Sequence, residues 1–128
     1  MLQPVYTSTA ATPGGHYSQA VIHGETVYIS GLLPILPEKG EKVLGSMQDQ
    51  LNAIFGNLEA ILQAAGSARD AVIRTTVYIS DISLWSEVNA KYKDYFGDHK
   101  PARTVVPVPE LHYGFKIEID AIAAVLPG

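Results

Sequence analysis

One stretch limits what this chain can fold into more than any other. From Met47 the apolar residues Met47, Leu51, Ile54, Phe55, Leu58, Ile61, Leu62 and Ala65 recur with the 3.6-residue period of a helix that hides one face. Ser46 precedes the run as an N-cap, Asp49 sits favourably in the first turn, and Gly66 supplies the stop. A long helix with one apolar face must bury that face against something. The segments around it supply strands.

Thr26-Val27-Tyr28-Ile29-Ser30 reads as a strand, preceded by a strand within His16–Ile22 and the tight connection His23-Gly24-Glu25. A Pro-bearing loop spans Leu32–Gly45. Ala71–Ser80 forms the next strand, and its end, Val77-Tyr78-Ile79-Ser80, repeats Val27-Tyr28-Ile29-Ser30. A second helix is expected over Ser83–Phe96, with Leu84, Val88, Tyr92, Tyr95 and Phe96 on one side and Gly97 at its end. After the turn Asp98–Pro101 come two more strands, one opening at Arg103-Thr104-Val105-Val106 and one over Lys116–Val125, joined by Pro107–Gly114. The order β-β-α-β-α-β-β suits a single α+β domain over residues 1–128, a mixed sheet with both helices on one face. The uncovered sheet face must meet water or another subunit. With 47% hydrophobic and only 17% charged residues, a subunit is the expected cover.

Composition also excludes classes of function. A net charge of −4, with no basic cluster, argues against binding nucleic-acid backbones. The absence of cysteine removes thiol catalysis, disulfides and Cys-ligated zinc, and it fits a reducing compartment. The four His are too scattered for metal-ligand spacing, so no metal is expected, and His99 and His112 read as solvated turn residues. Met1–Tyr6 lacks the pattern of a signal peptide and no apolar run is long enough to span a bilayer, so the expected setting is the cytoplasm, with no membrane partner.

The candidate chemistry lies near the end of the chain. Arg103 begins a stiff β-branched run from which a guanidinium can clamp a small carboxylate through two parallel hydrogen bonds. In the last strand Lys116, Glu118 and Asp120 share one face, which turns apolar at Ile122, placing Asp120 on the border between wet and buried surface. A cation and a half-buried carboxylate on neighbouring strands can bind and hydrolyse a small acid. The same two residues also fit an ordinary surface pair, and spacing alone does not separate these readings.

Several short pieces, in order and at fixed spacing, resemble the Rid (YjgF-type) family of reactive imine/enamine deaminases. They are Tyr17-Ser18-Gln19-Ala20-Val21, Ser30-Gly31, Ala64-Ala65-Gly66-Ser67, Arg74-Thr75-Thr76-Val77-Tyr78, Val88-Asn89 with Tyr95-Phe96-Gly97, Pro101-Ala102-Arg103, and Ile117-Glu118-Ile119-Asp120-Ala121-Ile122-Ala123. The resemblance implies a chorismate-mutase-like fold, a homotrimer with sites in three inter-subunit clefts, and hydrolysis of 2-imino acids such as 2-iminobutyrate or 2-iminopropionate to 2-keto acids and ammonia. It implies no metal or organic cofactor.

By position, the resemblance makes Arg103 the holder of the substrate carboxylate. Tyr17 and Ser30 line the cleft with hydroxyls, Gly31 and Val105 offer backbone groups, and Asn89 is a lesser contributor. Asp120 stands where deaminating members carry a Glu that orients the attacking water and shuttles its proton. Glu118 takes that role only if the strand register shifts. Val105 replaces a Cys or Thr, His16 a Pro beside Tyr17, and Leu32 a Gln after Ser30-Gly31. An Asp one methylene short leaves a second function open, a trimeric small-acid binding or regulatory protein. A third, the ribonuclease activity attached to relatives, is opposed by the acidic composition.

Overall fold

The computed structural model describes residues 1–128. Strand β1 covers Leu2–Val5, β2 Ala20–His23 and β3 Thr26–Leu32; then follow helix α1, Met47–Ala64, strand β4, Val72–Ile79, helix α2, Trp85–Phe96, strand β5, Ala102–Pro107, and strand β6, Ile117–Ala124. They form one six-stranded sheet in the order β1-β2-β3-β6-β4-β5. Every pairing is antiparallel except β4 with β5. That parallel pair needs a crossover, which α2 provides.

The helix signals act as expected. Ser46 Oγ accepts from Asp49 N at 3.1 Å, and Gly66 adopts the left-handed φ of 75° after the last turn. Helix α2 starts two residues later than its pattern suggested. Asp81 caps the segment, its Oδ1 accepting from Ser83 N at 2.8 Å, and a single tight turn over Ile82–Leu84 precedes the helix. Both helices cover the same face of the sheet. The core is made of Leu51, Ile54, Leu58, Ile61 and Leu62 from α1, Val88 and Phe96 from α2, and Val27, Ile29, Val77, Ile79, Ile117 and Ile119 from the sheet. Phe55 and Tyr95 stack in parallel across the two helices with ring centroids 4.3 Å apart.

Two expectations about strands change. Strand β2 begins at Ala20 rather than His16, because the backbone before it is taken up elsewhere. Gln19 is buried, its Nε2 donates to the carbonyls of Thr7 and Ala11, and its Oε1 accepts from Thr7 N. Those three bonds fold residues 7–19 into a loop against the sheet. Strand β1 has no foreshadowing: only Val5 of its four residues is buried, and Pro4 is tolerated there because β1 is an edge.

The larger correction concerns the last two strands. They are not neighbours, because β4 lies between them, pairing Thr75 with Arg103 on one side and Thr76 with Asp120 on the other. Consecutive residues of β4 point to opposite faces. Arg103 and Val105 therefore share the helix-covered face with Thr75 and Val77, while Glu118 and Asp120 share the open face with Tyr78 and Thr76.

Leu58 has no exposed surface and sits where α1 meets the sheet. Leu58→Ala is expected to lower stability by about 2–5 kcal/mol, read from urea denaturation.

Candidate active site

A cavity of about 390 Å³ opens beside β3 and β6. Its wall includes Tyr17, Ser30, Gly31 and Glu118, together with residues 11–15 of the N-terminal loop and His112 and Tyr113 from the turn before β6. The floor of the cavity depends on one irregularity. Between the pairs Ile29–Ala121 and Leu32–Ile119, two residues of β3, Ser30 and Gly31, face a single residue of β6. Such a bulge turns side chains aside and lets backbones approach. Here it brings Gly31 against the Glu118 side chain so closely that a Cβ on Gly31 would collide with Oε2 and stand 3.2 Å from Cδ.

The hydroxyls of the cavity have assigned directions. Ser30 Oγ donates to the Ser18 carbonyl at 2.7 Å, which leaves its lone pairs facing the cavity as acceptors. Tyr17 is the converse: its Oη accepts from Gly14 N at 3.3 Å, so its own proton is free to be given to a ligand. Ser30 is a β3 residue and Tyr17 a loop residue, and each hydroxyl is fixed by a contact to the N-terminal loop. At the inner end Asn57 bridges Ala11 N and the Ile35 carbonyl at 3.0 and 2.7 Å, holding the N-terminal loop to α1.

Glu118 is the carboxylate of this cavity, and no shift of strand register is needed to place it there. Burial pushes its carboxyl up from the ordinary value; His112 opposes that rise, and Asp120 adds to it. Asp120 lies on the same face two residues on, outside the cavity wall, where Tyr78 Oη donates to its Oδ2 at 3.3 Å. That neighbourhood raises the Tyr78 hydroxyl, through burial first and the Asp120 charge second. The sequence alternation correctly put both carboxylates on one face. What it omits is the bulge, which lies opposite Asp120 in register and where the missing side chain of Gly31 leaves room for that of Glu118.

Arg103 lies elsewhere. Its guanidinium packs over the rings of Trp85 and Tyr92, 4.7 Å from each centroid, and Nη1 donates to Asn89 Oδ1 at 3.2 Å. Tyr92 is in turn held by a 2.8 Å hydrogen bond between its hydroxyl and that of Thr75. Two rings and an amide thus orient the fork and leave further donors for an anion. Val105 on the same strand packs against the core. Within one chain Arg103, Asn89 and Val105 form a separate cluster on the helix-covered face, away from Tyr17, Ser30, Gly31 and Glu118. The two expected turn histidines also part company. His99 is held by a 2.7 Å bond between Nε2 and the Val72 carbonyl, whereas His112 lines the cavity.

The chain matches the family model described as Endoribonuclease L-PSP over residues 7–125. A RutC family protein of Pyrococcus horikoshii is 42% identical over 96% of this chain and 98% of its own length. The chain belongs to the Rid family. The human 2-iminobutanoate/2-iminopropanoate deaminase is 42% identical over 118 residues, 91% of this chain and 86% of that protein. The crystal structure of YyfA, a Rid family protein of Yersinia pestis, superposes with a TM-score of 0.94 at 36% identity, covering 98% of this chain and all of that one. The Rid fold thus accounts for the mixed sheet and the paired helices seen here.

The raised Glu118 carboxyl carries a stability consequence whose sign is fixed. A carboxyl that holds its proton more tightly when folded penalises the ionised native state, and the penalty exists above the folded value and vanishes below the ordinary 4.5. Glu118→Gln is therefore expected to raise the thermal midpoint at pH 7 and to give no gain below pH 4.5.

Proposed function

We propose that this Rid protein hydrolyses 2-imino acids to 2-keto acids and ammonia, in sites completed by two copies of the chain within a homotrimer. The observation that carries this reading is the division of the chemistry. A half-buried carboxylate stands in a cavity with one free donor and one free acceptor, and an aromatic-clamped guanidinium stands on another face of the same chain. A substrate carboxylate and a reacting imine carbon are adjacent atoms, so one ligand cannot use both clusters of a single chain. A second copy presenting Arg103 to the cavity joins them. The β5 edge, with one ladder unpaired, and the open sheet face with Tyr28 and Ile122 are surfaces that assembly would cover. The human and rat relatives named as imine deaminases support the same chemistry.

The roles follow from the groups. Arg103, steadied by Asn89, anchors the substrate carboxylate through two hydrogen bonds. Glu118 accepts a proton as water oxygen bonds to C2, while the C=N π electrons move to nitrogen. The same carboxyl returns that proton to nitrogen to give a carbinolamine; it then carries the hydroxyl proton to the amine as the C–N bond breaks, so that ammonia leaves and the keto oxygen remains. Tyr17 can donate to the substrate, Ser30 can accept from water or from the imine N–H, and Gly31 leaves room for Glu118 to reach. The elevated Glu118 carboxyl makes a stronger base than a fully solvated one. Asp120 is outside this set and serves to hold Tyr78. The endoribonuclease description of the family model has little support here, since a net charge of −4 opposes a phosphate backbone.

The test is ammonia release above the buffer rate from 2-iminobutyrate generated in situ. Glu118→Gln should lose on the order of a hundredfold or more, Arg103→Ala should lose its rate chiefly through KM, and Asp120→Asn should retain most of it. Mixing Arg103→Ala and Glu118→Gln chains and refolding them together should restore about one quarter of the wild-type activity if each site joins two copies at random. No recovery in the mixture would place both clusters' work within one chain. A wild type that gives no acceleration yet binds 2-keto acids would make the protein a small-acid binder.

Gly31→Ala offers an independent check. It should abolish most turnover by displacing Glu118, with the circular dichroism spectrum unchanged.

A further inference from the structure

The residues lining the cavity include one acidic group, Glu118, and one basic group, His112. The second is delivered by a turn with an unusual backbone. Tyr113, a bulky non-glycine residue, takes φ 56°, followed by Gly114 at φ 76°. Both ends of the turn are fixed. Phe115 is buried in the interior, its N–H donates to the His112 carbonyl at 3.0 Å, and Gln50 Oε1 accepts from Lys116 N at 2.9 Å. The Lys42 ammonium lies 4.6 Å over the Tyr113 ring and holds the tip. Backbone conformations that bulky residues avoid persist where the surroundings enforce them, and they concentrate at working sites. The result is an exposed imidazole on the wall of the same cavity as its only carboxylate.

We propose that His112 is a positioning residue for Glu118, its imidazolium form holding the cavity carboxylate ionised so that the base keeps working in mildly acidic solution. This rests on the reading of Glu118 as the base for imine hydrolysis. Every group facing Glu118 enters the balance. On its own strand face Lys116 adds a fixed positive charge, Asp120 and the half-buried setting favour the protonated carboxyl, and Tyr78 on β4 together with Tyr17, Ser30 and Tyr113 of the cavity wall place hydroxyls around it. In the proposed trimer Arg103 of a second copy adds a fixed positive charge, so His112 supplies the part that varies with pH. Imidazole is the side-chain type whose charge responds to pH between about 5 and 8, so a charge it places beside a carboxylate varies with pH where a fixed cation's does not. The imidazolium therefore resists loss of the base where loss would otherwise set in.

Two readouts test this on the full-length protein, for wild type, His112→Gln and His112→Lys. Carbon-13 NMR of the Glu118 carboxyl gives its titration midpoint whether or not the protein turns over imines. The ratio of kcat/KM at pH 5.5 to that at pH 8, with 2-iminobutyrate generated in situ, gives the functional effect within each variant. In His112→Gln the midpoint should rise by about half a pH unit and the activity ratio should fall roughly threefold, with His112→Lys returning both toward wild type. Equal midpoints in the three proteins would overturn the coupling. A shifted midpoint with an unchanged activity ratio would overturn the role of the coupling in catalysis. A wild type without activity would refute the deaminase reading and leave the NMR result to decide the pairing alone.

Discussion

The strict alternation of β6 is the constraint on which the rest of this structure depends. Ile117, Ile119, Ala121 and Ala123 are buried against the helices, so Glu118, Asp120 and Ile122 have no choice but the other face. Because β6 pairs with β3 on one side and β4 on the other, its register sets that of the central sheet. Slipping it by one residue would expose four apolar side chains and bury two carboxylates. The placement of Glu118 is thus a by-product of core packing, and it is as rigid as the core itself.

Against that fixed strand, the neighbouring strand is allowed one irregularity. The extra residue of β3 at Ser30-Gly31 moves the backbone toward Glu118, and glycine is the residue that permits the approach. The cavity then takes its remaining walls from loops: the N-terminal loop pinned by Gln19 and Asn57, and the turn at His112 and Tyr113. The sheet supplies the carboxylate, and loops pinned to the sheet and to α1 supply its surroundings.

Much of this was legible before any coordinates. The period of residues 47–65 with Ser46 and Gly66 at its ends defines α1, and the order of elements defines the mixed sheet, because these signals are local. The motif around Tyr17, Ser30 and Gly31 leads to the cavity. What escaped was non-local. Whether Arg103 neighbours Asp120 depends on β4 entering between the last two strands, a matter of topology that no local pattern encodes. The close approach of Glu118 to Gly31 depends on a bulge in a different strand. The role of His112 as a cavity residue depends on a left-handed Tyr113, a conformation that composition does not announce.

Arg103 is sandwiched by Tyr92 and by Trp85, the chain's single tryptophan. If Arg103 holds the substrate acid, as proposed, the anchor is assembled before any acid arrives, and little side-chain freedom remains to be lost when one binds. It also means that the protein carries its own optical label at the anchor. An anion drawing the guanidinium off the indole changes the surroundings of the only tryptophan, so the emission of the unlabelled protein follows occupancy of Arg103 separately from any chemistry at Glu118.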